Sequence, residues 1–204
     1  MRLTKQFVLF LIGVMAIFTF AAHADPVKDL FRKPNDPVVG NPSGKVTIVE
    51  FFDYQCSHCA SMAPVMQLIL KANPDVRVVY KEFPIRGPVS EFASRAALAA
   101  NKQGKYATLN HALLSTNLSL SNETILDIAK ANGLNMPKLQ KDMDSLSVRK
   151  QINENIALAQ RKRITGTPAF FIGKTNAPND EDVTFVLGEM SFNEAQSAID
   201  KAKK

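Results

Sequence analysis

Cysteine and histidine are scarce in this sequence. Its 204 residues include two cysteines and three histidines, and both cysteines lie in one short segment, Cys56-Ser57-His58-Cys59. A structural zinc site needs four ligands, and the chain has neither a second Cys-x-x-Cys nor clustered histidines. A metal-binding module, with Cys56, His58 and Cys59 as ligands, is therefore an alternative with little support.

A basic run interleaved with aromatic residues is also missing. The formal net charge is +6 at pH 7, and the lysines and arginines are scattered along the sequence. Nucleic-acid-binding proteins concentrate such charge in a patch or a stripe. The sequence therefore does not predict binding to nucleic acid.

The N-terminal apolar run is too short to span a bilayer. It covers residues 7–20, which is 14 residues, whereas a membrane-spanning helix needs about 20. Arg2 and Lys5 precede the run, and a small-x-small sequence over residues 22–24 follows it. We therefore predict that residues 1–24 are a cleaved secretory signal peptide; an uncleaved membrane anchor is the alternative. The mature protein is expected in an oxidising compartment, where its two cysteines allow one disulfide at most.

The hydrophobic pattern predicts an α/β fold with a helical insert. A polar, proline-containing lead-in covers residues 25–44, with one helical turn expected around residues 28–31. Strands and helices follow over residues 45–52, 56–72 and 76–83 as a βαβ unit, and over 169–173, 183–187 and 191–204 as a ββα unit. Residues 88–163 between them have helical periodicity, with N-cap signals at Ser121 and Ser147. We predict an α/β domain over 45–87 and 164–204, and an inserted helical subdomain over 88–163.

The cysteine pair lies where a buried strand meets a helix N-terminus. Unpaired N–H groups at a helix start stabilise a thiolate, and His58 can add a hydrogen bond or a positive charge. Cys59 lies one turn deeper, so we predict that Cys56 exchanges with substrate and Cys59 resolves the mixed disulfide. Stabilising the Cys56 thiolate favours the reduced pair, which makes the disulfide a stronger oxidant. A purely structural disulfide is the weaker alternative, because this pair closes almost no loop.

Three segments together resemble a known family. They are residues 49–52 (Val-Glu-Phe-Phe), the Cys56-Ser57-His58-Cys59 segment, and Gly166-Thr167-Pro168 before the apolar residues 169–172. In this order they resemble the DsbA-type thiol:disulfide oxidoreductases of the bacterial periplasm. The resemblance implies a thioredoxin-like fold with an inserted helical domain, a periplasmic location, and no cofactor besides the redox-active Cys56–Cys59 disulfide.

The resemblance also implies roles for single residues. Pro168 matches the family's cis-proline, which lies against the dithiol, and the backbone of Thr167 would pair with an extended substrate segment. Glu50 matches a buried acidic residue that exchanges a proton with Cys59. The alternatives are an ordinary proline that opens a strand, and a Glu50 that pairs with Lys81. The implied partners are reduced exported proteins and a membrane quinone-linked protein that reoxidises the cysteine pair.

Two residues bear on which member of this fold the protein resembles. Ser57 stands where those members have proline, and Thr167 also occurs in disulfide isomerases of the same fold. Such isomerases usually carry an N-terminal dimerisation domain, whereas residues 25–44 are too few to fold alone. We therefore predict a monomeric protein disulfide oxidase. An isomerase or reductase is the first alternative, and a binding protein that merely retains the fold is the second. Met62 is expected to line a peptide groove beside the pair.

Overall fold

The protein is described by a computed structural model over residues 26–179 and 182–204. In these ranges the elements are, in order, α1 (Pro26–Phe31), β1 (Val38–Gly40), β2 (Val46–Phe52), α2 (Ser57–Ala72), β3 (Val76–Glu82), α3 (Pro88–Asn101), α4 (Tyr106–Leu114), α5 (Asn122–Ala131), α6 (Met136–Met143), α7 (Leu146–Arg161), β4 (Ala169–Lys174), β5 (Thr184–Leu187) and α8 (Phe192–Lys203). The predicted signal peptide lies outside the described residues. Within those residues, no helix combines the length and the apolar character needed to cross a membrane.

The strands form one mixed sheet in the order β1-β3-β2-β4-β5. β2 and β3 run parallel and are connected through α2, whereas β4 pairs antiparallel with both β2 and β5. β2 is central, and all of its residues are buried because helices cover both faces of the sheet. This architecture confirms the predicted α/β, thioredoxin-like fold.

Alternate residues of β2 enter two separate apolar clusters. Ile48 and Phe52 belong to the larger cluster, with residues of α2, α8 and the helices between β3 and β4. Val49 and Phe51 belong to a smaller cluster on the other face, with residues of α1 and α7. A side chain on β2 or β3 therefore meets one of two environments, according to its position in the alternation.

The lead-in is more ordered than the sequence predicts. β1 pairs antiparallel with β3, and Val38 lies opposite Val79. Three residues are too few to show a strand alternation, so this strand depends on the hydrogen bonds that β3 offers. Lys81 of β3 completes the attachment, since its ammonium group donates to the Asp36 carboxylate and to the backbone oxygen of Asp29.

Five helices, α3 to α7, lie between β3 and β4. Ser121 caps α5 as predicted, because its side chain accepts the N–H of Thr124. The predicted cap of α7 is wrong: Ser145 is the N-cap residue, and Ser147 lies in the first turn. One apolar cluster runs through these helices and the sheet. The division of the chain into a domain and an inserted subdomain therefore stays a prediction.

Candidate active site

One carboxylate holds the turn that precedes the cysteines. Asp53 follows β2 and is completely buried. It accepts hydrogen bonds from the backbone N–H groups of Gln55 (2.7 Å), Ile85 (2.8 Å) and Arg86 (3.0 Å), and from the Ser90 hydroxyl (2.7 Å). These bonds attach the turn to the loop after β3 and to α3. The sequence reasoning missed Asp53, although an aspartate two residues before the N–H that it accepts is a recognisable turn signal.

Cys56 is the N-cap residue of α2, at the junction that the sequence predicts. It is 1% exposed, and its thiol donates to the backbone oxygen of Thr167 at 3.3 Å. The Thr167–Pro168 peptide bond is cis, as the resemblance implies. Burial alone would raise the pKa of the Cys56 thiol. The side chain of Thr167, the backbone and thiol of Cys59, and the charge of Arg86 together outweigh burial and lower that pKa below its ordinary value.

Cys59 lies one turn into α2 and is completely buried. Burial raises the pKa of its thiol, a hydrogen bond with the backbone of Asp53 opposes the shift, and the charge of Glu50 adds to it. The two thiols are therefore unequal: the pKa of Cys56 is lowered, whereas that of Cys59 is raised. This is the asymmetry on which the predicted division of roles depends, and the roles themselves stay a prediction.

Glu50 is buried in the middle of β2 and is 2% exposed. Its pKa is raised to about 8, first by burial and then by the charges of Cys56 and Glu82. The alternative that Glu50 pairs with Lys81 is wrong. Tyr80 lies opposite Glu50 in the register of β2 and β3, so Lys81, one residue further, points to the other face of the sheet.

A second buried carboxyl, that of Glu82, lies at the end of β3 on the same face as Glu50. Its Oε1 accepts the hydroxyls of Tyr106 (2.6 Å) and Tyr54 (3.1 Å), and Asn110 donates to the Tyr54 oxygen at 3.2 Å. Burial raises the pKa of Glu82 to about 8, against the effect of these hydrogen bonds. The network joins the turn before the cysteines to α4. The sequence reasoning missed it, because a strand pattern does not show which distant hydroxyls a carboxyl meets.

His58 lies at the surface, and its side chain is 66% exposed. Its Nδ1 lies 2.7 Å from Oε1 of Glu189, a residue just after β5 that the sequence reasoning did not connect with the site. The predicted contribution of His58 to thiol activation stays a prediction.

Across residues 26–179 and 182–204, no group of three or more histidine, cysteine or acidic side chains is arranged to hold a metal ion.

A cleft of about 300 Å³ opens beside Cys56, between α2 and the segment that follows α4. Its lining is largely apolar or small: Tyr54, Gln55, Cys56, Ser57, Ala60, Leu113, Leu114, Thr116, Leu118, Ser119 and Leu120. Met62 is not part of it, so that expectation is wrong. Met62 is 2% exposed and its sulfur accepts the N–H of Met190 at 3.5 Å, because it belongs to the buried stripe of α2.

Two unequal thiols at the start of a helix, beside a cis-proline on a thioredoxin-like fold, define a thiol–disulfide exchange protein. A family model described as the DSBA-like thioredoxin domain matches residues 47–200, which is most of the chain. The chain therefore belongs to the DsbA-like thioredoxin domain family.

Solved structures and curated proteins support the same assignment. A thioredoxin-like oxidoreductase from Silicibacter pomeroyi DSS-3 is 41% identical, with a TM-score of 0.79 over 86% of this chain and 96% of that one. The thiol-disulfide exchange protein alpha-DsbA2 from Wolbachia pipientis is 26% identical, with a TM-score of 0.76 over 85% and 90% of the two chains. The thiol:disulfide interchange protein DsbA of Bordetella pertussis is 29% identical over 79% of each chain.

A second group of curated relatives is much longer than this chain. The Na(+)/H(+) antiporter NhaA 1 of Salinispora arenicola is 26% identical over 79% of this chain, which spans only 24% of that protein. The chain thus covers about a quarter of such a relative.

Proposed function

We propose that this protein is a protein disulfide oxidase that transfers the Cys56–Cys59 disulfide to reduced exported proteins. The observation that carries the proposal is the difference between two thiols one helical turn apart. The pKa of Cys56 is lowered, whereas burial raises that of Cys59. Stabilising one thiolate of the reduced pair makes the disulfide a stronger oxidant. The same difference selects Cys56 as the sulfur that exchanges with substrate.

The reaction begins when a substrate thiolate attacks Sγ of Cys56 in the disulfide. The Cys56–Cys59 bond breaks, a mixed disulfide forms, and the electron pair leaves on Cys59. Since the pKa of Glu50 is about 8, its carboxyl is largely protonated at neutral pH and can supply the proton that Cys59 takes up, directly or through water. A second substrate thiolate then attacks the substrate sulfur of the mixed disulfide and releases Cys56 as a stabilised thiolate. The substrate is oxidised by two electrons, and the protein is left as a dithiol.

The surroundings of Cys56 offer two kinds of contact to an extended substrate. The backbone oxygen of Thr167 lies 3.3 Å from the Cys56 sulfur, so a segment paired with this backbone would bring its own cysteine to the reactive atom. The neighbouring cleft adds apolar surface, including Leu118, which is 59% exposed. Backbone pairing and an adaptable apolar surface suit an enzyme that accepts many unfolded chains.

Location and partners belong to the proposal and rest on the family. We place the mature protein in the periplasm as a monomer, with a membrane quinone-linked protein as the partner that reoxidises the cysteine pair. Cell fractionation and light scattering test the first two statements. Cross-linking of a Cys59→Ser variant, whose mixed disulfides cannot be resolved by the protein itself, tests the third.

The decisive experiment is the equilibrium of the cysteine pair with glutathione buffers, with the thiolate absorbance followed as a function of pH. We expect a disulfide more oxidising than glutathione, and a Cys56 pKa well below the ordinary value of about 8.5. Cys56→Ser should abolish exchange, whereas Cys59→Ser should accumulate mixed disulfides. A potential near that of thioredoxin, about −270 mV, with a thiol pKa near 7 would contradict the oxidase proposal.

An isomerase or reductase is the second candidate. Thr167 before the cis-proline favours it, because this residue also occurs in isomerases of the same fold. Such a protein would act in its dithiol form and would reshuffle wrong disulfides without net oxidation. Recovery of a scrambled substrate by the reduced protein, with no added oxidant, would support this candidate. A Cys56→Ser variant that keeps the biological role would instead indicate a binding protein.

A further inference from the structure

The loop between β5 and α8 brings a carboxylate to the histidine of the cysteine pair. Oε1 of Glu189 lies 2.7 Å from Nδ1 of His58, and the two residues are 131 positions apart in the sequence. The contact is therefore made by the tertiary fold, and a change in either element would break it. The side chains are 46% and 66% exposed, so both can be substituted without opening the core.

Both neighbours of Glu189 are attached to elements that carry active-site residues. The N–H of Gly188 donates to the backbone oxygen of Pro168 at 2.8 Å, and the N–H of Met190 donates to the sulfur of Met62 at 3.5 Å. Gly188 has φ +94°, a conformation that glycine adopts readily and other residues rarely do. The chain before and after Glu189 is thus held between the cis-proline segment and α2. These two bonds fix the backbone of Glu189 in a position from which its carboxylate reaches His58.

The pKa of Cys56 depends on the sum of the charges around its sulfur. The loop after β3 contributes Arg86, whose charge lowers the pKa of Cys56. Glu50 lies in the sheet on the other side of the pair, and its pKa is raised in part by the charge of Cys56. A charged His58 would stabilise the thiolate further and make the disulfide more oxidising. A carboxylate bound to that imidazole opposes this contribution.

We propose that Glu189 is a positioning residue that tempers the oxidising power of the Cys56–Cys59 pair by holding and neutralising His58. The inference rests on the proposed oxidase function and specifies how the influence of His58 on the cysteine pair is limited. Glu189 forms no bond to sulfur and transfers no proton in the reaction. It acts only through the imidazole, and this makes the proposal separable from a general effect of charge on stability.

The test begins with Glu189→Gln, which keeps the size of the side chain and removes its charge. At low ionic strength and pH 6, we expect the equilibrium with glutathione to shift toward a stronger oxidant. The expected change is about two- to fivefold, which corresponds to about 10–20 mV, because exposed ion pairs are weak. High salt should reduce the shift, since it screens exposed charges.

Two further variants show whether the effect passes through His58. In a His58→Gln background, Glu189→Gln should change the equilibrium hardly at all. Glu154→Gln is the matched control: Glu154 lies 2.7 Å from Lys33, and its side chain is 39% exposed, in α7. It removes the same charge from a similar surface pair and should leave the equilibrium with glutathione unchanged.

The outcomes are distinct. The proposal is overturned if Glu189→Gln leaves the equilibrium at the wild-type value, makes the protein a weaker oxidant, or shifts it equally in the His58→Gln background. An equal shift in the Glu154→Gln control would also overturn it, because any lost negative charge would then suffice. Failure of the proposed oxidase function would appear differently, as a wild-type pair that equilibrates near the potential of thioredoxin.

Discussion

The sheet buries charged side chains on both of its faces, but the two faces treat them differently. On the face toward α1 and α7, Lys81 is completely buried and donates to Asp36, whose side chain is 2% exposed. On the face toward α2, Glu50 and Glu82 are buried near the cysteine pair and near tyrosine hydroxyls. Within the described residues, no cationic side chain forms an ion pair with either of these two carboxyls. One face thus neutralises a charge with an opposite charge, and the other favours neutral carboxyls.

This difference between the two faces implies that one contributes to folding stability and the other to thiol–disulfide exchange. Burial raises the pKa of Asp36 and lowers that of Lys81, and their mutual attraction opposes both shifts. This pair attaches the lead-in to the sheet. Glu50 and Glu82 both have pKa values near 8, so a proton on either carboxyl can leave or return at physiological pH. We therefore expect changes on the first face to alter folding and changes on the second face to alter exchange.

The largest effect is expected from removing one partner of the buried Lys81–Asp36 ion pair. Lys81→Met would leave the Asp36 carboxylate buried without its ammonium partner, at a cost of about 3–5 kcal/mol in the free energy of unfolding. Urea denaturation of the reduced protein measures this loss. The equilibrium with glutathione should stay at the wild-type value in the fraction that remains folded.

The matched control for this change removes both charges. Lys81→Met combined with Asp36→Leu should recover most of the lost stability, because well-packed apolar groups often replace a buried ion pair without net cost. A single Lys81→Met variant as stable as the wild type would contradict the comparison, since it would mean that the buried pair contributes nothing.

The second effect is a dependence of the unfolding free energy on pH, and it comes from the sheet face that holds Glu50 and Glu82. Glu50 has a pKa of about 8 in the folded state against an ordinary value of 4.5, so the folded state binds its proton more tightly than the unfolded chain does. The stability that this proton contributes is complete below pH 4.5 and is lost as the pH rises through 8. At about 1.4 kcal/mol for each pKa unit between 4.5 and about 8, the total loss is on the order of 5 kcal/mol, similar in size to the Lys81→Met effect. Urea denaturation at several pH values measures it.

Glu50→Gln should flatten this dependence, because glutamine has no proton to lose. Glu82 contributes in the same direction and over a similar range, so the double variant with Glu82→Gln should be flatter still. Equal slopes for wild type and Glu50→Gln would show that Glu50 is not the titrating group. Slower exchange in Glu50→Gln, with an unchanged Cys56 pKa, would support the assignment of Glu50 as the proton donor to Cys59.

A smaller effect is expected from Tyr106→Phe. The variant removes one of the two hydroxyls that donate to Oε1 of Glu82, at a cost of about 1–2 kcal/mol in unfolding free energy. The loss should be greater at high pH, where Glu82 is ionised and accepts stronger hydrogen bonds. Tyr54→Phe is the companion variant, and it should also disturb exchange because Tyr54 belongs to the turn before Cys56.

The smallest effect is expected at the surface. Lys33 and Glu154 lie 2.7 Å apart with side chains 22% and 39% exposed. Lys33→Met should change the unfolding free energy by no more than about 1 kcal/mol, and high salt should remove the difference. A loss as large as that of Lys81→Met would contradict the view that burial, rather than pairing itself, decides the cost.

Much of the site could be predicted from local sequence. The helix behind Cys56, the greater depth of Cys59 and the apolar strand around Glu50 are visible in residue order and spacing, and the structure places them accordingly. The assignment of Pro168 came from resemblance rather than from spacing. Partners contributed by distant elements could not be predicted in this way: a strand pattern shows that Lys81 alternates with its neighbours, but it does not show that Asp36 is the side chain it meets.

The failures have the same physical origin. Met62 was expected beside the substrate, but its neighbours in α2 belong to the stripe that packs on the sheet, so it is buried. β1 was missed because a three-residue strand forms only where another strand offers hydrogen bonds. In each case the deciding contact joins residues far apart in the chain.

The sequence by itself determined the order of the strands and helices other than β1, the position of a dithiol at a helix N-terminus and the presence of a carboxyl within an apolar strand. These depend on periodicity and on residues that are close in the chain. The tertiary structure alone decided that Thr167 meets Cys56, that Glu189 meets His58, and that the two faces of one sheet hold their charges in opposite ways. Such contacts follow from how elements pack, because the electrostatic environment of a group is set by whatever surrounds it in space.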